Sequence, residues 1–80
     1  MKESVTLLGT SACHLCEVAH ELLLATLNPE FFDVQIVDIS DSDELVDAYG
    51  VLIPVLRRDA DGSELNWPFD VNALIDFLSE

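Results

Sequence analysis

Val5-Thr6-Leu7-Leu8-Gly9-Thr10-Ser11-Ala12-Cys13-His14-Leu15-Cys16 is the stretch on which the fold turns. A short apolar run ends at a glycine, and a small polar loop follows. Cys13 and Cys16, the two cysteines of the chain, then open an amphipathic segment. The run predicts a strand over about Val5–Leu8, and the segment after it a helix from about His14 to Leu27. A C-x-x-C at a strand-to-helix junction points to a dithiol that cycles with a disulfide.

Outward from this junction, the helix has apolar positions Leu15, Val18, Ala19, Leu22, Leu23 and Thr26, with Glu17 and Glu21 opposite. Asn28-Pro29 ends it, because a residue before proline avoids the helical region. A second strand is expected over about Phe32–Ile39. Ser40-Asp41-Ser42-Asp43-Glu44 reads as a helix start, with capping groups and acids in the first turn. The short helix that follows turns Leu45, Val46 and Tyr49 inward and stops at Gly50. Pro54–Arg58 is a third strand, Asp61-Gly62 a turn and Glu64–Trp67 a fourth strand closing a hairpin. Asp70 caps a last helix with apolar positions Val71, Leu74, Ile75 and Leu78. The order is β-α-β-α-β-β-α in one domain, residues 1–80. The first βαβ is expected to be parallel and the closing hairpin antiparallel.

Eighty residues, half of them hydrophobic, suit one modest core. No apolar run reaches the roughly 20 residues that span a membrane. Val5–Leu8 is too short for the core of a signal peptide, so a cytoplasmic, monomeric protein is expected. A purely structural disulfide would be unusual in that reducing compartment. The formal net charge is −13, with Lys2, Arg57 and Arg58 as the fixed cations. That excess excludes nucleic acid and anionic membranes as natural partners and favours basic ones.

Disulfide exchange needs one thiolate that attacks and a second thiol that resolves the mixed disulfide. Cys13 lies at the first turn, near the free N–H groups and the positive end of the helix dipole. Cys16 lies one turn in, on the side of Ala19 and Leu23, and is expected to be buried. Cys13 is therefore the nucleophile and Cys16 the resolver. His14, when protonated, would stabilise a neighbouring thiolate, while Glu17 would oppose it and could pair with His14. The competing metal reading takes Cys13, Cys16 and His20, but its fourth ligand, His14, is poorly placed to close a site, so no metal is assigned. His20 otherwise reads as a surface or boundary histidine.

The element order, Cys13-x-x-Cys16 at the first helix and Ile53-Pro54 before the third strand together resemble glutaredoxin within the thioredoxin superfamily, most closely its short bacterial glutaredoxin-like proteins. The resemblance covers nearly the whole chain. It implies a thioredoxin-like α/β fold with a four-stranded mixed sheet flanked by helices, and dithiol–disulfide oxidoreductase activity on protein or small disulfides. It also implies a cis Ile53-Pro54 bond facing the cysteines, where the Ile53 backbone pairs with an extended substrate. Trp67, Phe69 and Asp70 fall in the segment where glutaredoxins hold glutathione. Asp70 is kept there, but the usual glycine pair is missing. Thr10-Ser11-Ala12 stand where a basic residue often precedes the first cysteine, and His14-Leu15 replace the common proline and aromatic residue. No bound cofactor is expected. Electrons would come from glutathione or from a reductase. The alternative is a non-enzymatic module of the same shape, whose dithiol switches a partner interaction.

Overall fold

The computed structural model describes residues 2–79. Four strands and three helices follow in the expected order: β1 (Glu3–Gly9), α1 (His14–Thr26), β2 (Phe32–Asp38), α2 (Asp43–Tyr49), β3 (Val55–Arg58), β4 (Glu64–Asn66) and α3 (Val71–Leu78). The sheet order is β2-β1-β3-β4. β1 pairs parallel with β2, Leu7 opposite Ile36, and antiparallel with β3, Leu8 opposite Val55. β3 and β4 form the antiparallel hairpin, Val55 opposite Asn66. This is the mixed α/β architecture of the thioredoxin-like fold.

β1 lies inside the sheet and is buried on both faces, which is why it reads as a continuous apolar run rather than an alternation. Val5 and Leu7 face one layer, with Ala19 and Leu23 of α1, Leu56 of β3, and Leu74 and Leu78 of α3. Leu8 faces the other, where Ile39 and Val55 are buried and Leu45, Tyr49 and Ile53 pack against them.

The helices depart from expectation in which stripe they bury. On α1, Leu15 and Val18 are exposed, while Cys16, Ala19 and Leu23 are buried. On α3, Val71 and Ile75 are exposed; Leu74 and Leu78 are buried, and Ala73 and Phe77 pack beside them. Val46 of α2 is also exposed. Boundaries shift too. β1 extends to Glu3 and Gly9, β2 ends at Asp38, and β4 ends before Trp67. Ile39–Asp41 form a 3₁₀ turn, because the Asp38 carboxylate accepts the Ser40 N–H at 2.9 Å and turns the chain there. Ser42 caps α2 through Leu45 N–H at 3.4 Å. Gly50 ends α2 in right-handed helical conformation, and a Cβ there would lie 2.5 Å from the Val46 carbonyl oxygen. Close approach, not a left-handed turn, therefore demands the glycine. Gly62, with φ 75°, is the residue that does need positive φ, in the β3–β4 turn.

The buried polar side chain Thr6 donates to Asp59 at 2.9 Å, and Ser4 donates to the same carboxylate at 2.7 Å. Arg57 lies 3.5 Å from it. Burial pushes the Asp59 carboxyl up, but the two hydroxyls and the Arg57 charge outweigh it and hold the group below the ordinary carboxylate range. A depressed folded value means stability that is present above about pH 4 and lost as pH falls through the folded value. Asp59→Ala is expected to cost about 1 kcal/mol at pH 7, discounted for partial exposure. That corresponds to a Tm lower by about 4–8 °C, with the gap from wild type narrowing below about pH 4. Thermal melts of both proteins between pH 2 and 7 check this.

Candidate active site

β1 ends at Gly9 because the helix behind it comes very close. A Cβ on Gly9 would lie 2.7 Å from Cys16 Sγ and 3.0 Å from Cys16 Cβ. A bare backbone at this point lets the first turn of α1 seat against the strand. Thr10, Ser11 and Ala12 then form the loop, with the Cys13 N–H donating to the Thr10 carbonyl at 3.3 Å.

Cys13 is the N-cap of α1, in extended conformation, and its Sγ accepts the Cys16 N–H at 3.2 Å. The sulfur thus fills the capping role that serine or aspartate usually has. Cys13 and Cys16 are bonded as a disulfide, with their Cα atoms 5.2 Å apart. Their exposures differ: Cys13 is half-buried, while Cys16 is only 7% exposed. His14 projects into solvent, its Nδ1 3.9 Å from the Glu17 carboxylate, an exposed and therefore weak pair.

The sheet register carries the other predicted residues to the same end of the molecule. Leu8 opposes Val55, so Pro54 and the Cys loop lie side by side where β1 ends and β3 begins. Ile53-Pro54 is cis. Pro54 is buried, and its carbonyl accepts the Trp67 N–H at 3.3 Å. The Ile53 N–H already donates to the Tyr49 carbonyl at 3.1 Å, so only part of its backbone remains for an added strand. Trp67 is half-buried and meets Phe69 edge to face, ring centroids 5.0 Å apart. Phe69 is 6% exposed and belongs to the core, so its ring is no groove wall. Asp70 is the N-cap of α3, accepting the Ala73 N–H at 2.8 Å. Trp67-Pro68 is a second cis bond, with no marker in the chain beyond the proline itself.

A cavity of about 370 Å³ opens on the opposite side of the cysteines, toward β2. Gly9, Cys16, Glu17, His20, Ile36 and Asp38 are among its lining residues. Asp38 is held below the ordinary carboxylate range by the Ser40 hydroxyl and N–H, against a smaller opposing effect of burial and with the smallest contribution from the Ser11 N–H. Cys16, Glu17 and His20 stood out by pattern, and the other cavity residues did not. Gly9 and Asp38 acquire meaning only through the β1–β2 pairing that places them opposite each other. Among the described residues no group of three or more His, Cys, Asp or Glu side chains could hold a metal ion, Cys13, Cys16 and His20 included. None of their helices is long and apolar enough to cross a membrane.

A β-α-β start with a bonded C-x-x-C at the head of its helix, beside a cis proline, defines a glutaredoxin-like domain. The glutaredoxin-like domain model (DUF836) matches residues 4–79, and the chain belongs to that family. It is also similar to a Northeast Structural Genomics target protein, XcR50 from X. campestris. The X-ray structure of that protein is 39% identical, with a TM-score of 0.81, covering 94% of this chain and 95% of that one. Its solution structure gives 39% identity and a TM-score of 0.78 over 94% and 91%. No relative among curated proteins matches the chain.

Gly9→Ala tests the close approach. Overpacking against Cys16 is expected to cost about 1–3 kcal/mol in the reduced protein. Part of that cost should return in Gly9→Ala/Cys16→Ala, where the sulfur is gone. Urea unfolding of the four proteins of this cycle under reductant gives the coupling.

Proposed function

We propose that the protein is a dithiol–disulfide oxidoreductase. One observation carries this: two cysteines bonded across the first turn of α1, the outer one half-exposed and the inner one buried. Family membership supports it. In the reduced protein the Cys13 thiolate keeps the Cys16 N–H bond and the favourable helix end. It attacks one sulfur of a substrate disulfide, forming a mixed disulfide and releasing one thiolate. Cys16 then attacks Cys13 Sγ, the mixed disulfide breaks, and the second substrate thiolate leaves. The protein is left oxidised and is reset by two electrons from glutathione or a reductase.

The Cys loop, the cis-proline turn and Trp67 form the substrate side of the site. Exposed Leu15, next to Cys13, gives an apolar contact for a protein substrate. Its oxidised form would persist only transiently in a reducing cytoplasm. With Cys13→Ser, reduction of a protein disulfide such as that of insulin is expected to stop. With Cys16→Ser, one mixed disulfide per chain should accumulate, visible as an adduct in intact mass. If Cys13→Ser retains wild-type turnover, the reading is wrong; if the wild type has no turnover and partner binding follows its oxidation state, the switching-module reading replaces it.

The charge distribution bears on which disulfides react. Glu17 and Asp38 flank the cysteines, whereas Arg57 and Arg58 lie opposite Thr6 and Val5, engaged with Asp59 and Glu3. Cationic cystamine is therefore expected to react about tenfold faster than anionic oxidised glutathione at low ionic strength. The ratio should fall toward one at 1 M salt, where the screening length shrinks to about 3 Å. Stopped-flow rates with both disulfides across a salt series measure it.

A further inference from the structure

The dithiol reading leaves one step without a chemical agent. Cys16 must lose its proton before it can attack Cys13 Sγ, yet it is 7% exposed and pressed against Gly9, and burial disfavours the thiolate. Cys13 has the helix end and a backbone N–H; Cys16 sits one turn deeper, beyond that help. A proton acceptor near Cys16 would make the second step fast.

The cavity on the β2 side provides a place for one. Cys16 forms part of its wall, and so does His20, four residues further along α1. Residues at this spacing stand one above the other on a helix face, with Cβ atoms about 5–6 Å apart. His20 is half-buried, unlike the solvent-projecting His14. The other ionisable groups on this cavity are Glu17, on α1, and Asp38, on β2. Glu17 is 70% exposed at its side chain and turns toward His14. Asp38 accepts two hydrogen bonds from Ser40 on Oδ1, at 2.6 and 2.9 Å, which hold its carboxyl below the ordinary carboxylate range; it stays anionic and is the weaker proton acceptor. The β1 and loop residues on the cavity, Leu7, Gly9, Thr10 and Ser11, carry no charge.

We propose that His20 accepts the Cys16 proton through this cavity in the resolving step, acting on the buried thiol while Cys13 acts on the substrate. The proposal rests on the dithiol reading above. In balance, the Cys16 thiol proton passes to the His20 imidazole. The Cys16 thiolate then bonds to Cys13 Sγ, and the Cys13–substrate S–S bond breaks. The departing thiolate takes up a proton, and His20 returns its own to solvent. The cavity is open, so a water can bridge the side chains if they do not touch directly.

The test separates the two steps with neutral 4,4′-dithiodipyridine, whose thiopyridone product absorbs in the near ultraviolet. Reduced protein mixed with this reagent in a stopped-flow cell releases one thiopyridone when Cys13 attacks and a second when Cys16 resolves. In His20→Gln the second phase is expected to slow about 10- to 100-fold at pH 7, the first by less than about twofold. The wild-type second phase should carry a pH-dependent limb that His20→Gln lacks. In His20→Ala, added imidazole should restore the second phase with saturation, a readout that a purely structural histidine would not give. Circular dichroism and thermal melts establish that the variants are folded; should His20→Gln not fold, the pH limb of the wild type and the rescue of His20→Ala decide. An unchanged second phase in His20→Gln, or equal slowing of both phases with no imidazole rescue, overturns the proposal. If wild type releases no thiopyridone at all, it is the dithiol reading that fails, whatever His20 does.

Discussion

The contact between Cys16 and Gly9 is the constraint on which the rest of the site depends. The absence of a side chain on Gly9 lets α1 lie against the end of β1, with Cys16 Sγ occupying the space a Cβ would need. From that one approach follow the asymmetries of the dithiol. Cys16 is buried because it faces the strand. Cys13 is half-exposed because it is the residue before the helix, at the cap. A serine cap would satisfy the same N–H groups, but it could not form the bond to Cys16.

β1 extends this constraint through the sheet. Lying between β2 and β3, it is apolar on both faces and admits one buried polar side chain, Thr6, which Asp59 satisfies from beyond the end of β3. Its two registers decide what surrounds the cysteines. Pairing with β2 sets Asp38 opposite Gly9 and opens the cavity behind Cys16; pairing with β3 sets Pro54 beside the Cys loop. The buried and the half-exposed sulfur therefore have different surroundings, the cavity toward β2 beside Cys16 and the cis-proline turn on the β3 side.

Element order, strand pairing in the first βαβ and the closing hairpin, the Asp70 cap and the unequal exposure of the two cysteines were all legible in the chain. They depend on local signals: a strand-to-helix junction, a turn glycine, a capping acid. The buried stripes were less legible. On α3, positions 71, 74, 75 and 78 and positions 73, 74, 77 and 78 both satisfy helical spacing, and only the tilt of the helix on the sheet selects the second. On α1 the apolar Leu15 and Val18 mimic a core face, although the helix turns Cys16 inward instead. Phe69 was open for a similar reason, since an aromatic residue beside a cleft reads equally as wall or core until the packing is known. Gly9 and the cavity could not be found by pattern, because both depend on distances across strands.

The placement of charge follows from the same packing. Arg57 and Arg58 are held along β3 by Asp59 and Glu3, where they neutralise acids next to the central strand. That leaves the cysteine end, where β1 and β2 finish, with Asp38 and Glu17 on the cavity beside Cys16. A thiolate at Cys13 in the reduced protein would meet this negative field at long range and the Cys16 N–H and the helix end at short range. Local dipoles act over a few ångströms and are little screened, while the field of the distant acids weakens within a Debye length of about 8–10 Å. The nearest electrostatic influences on the Cys13 sulfur are thus its first turn of helix and the Cys16 N–H, while the acids of the wider surface act at longer range.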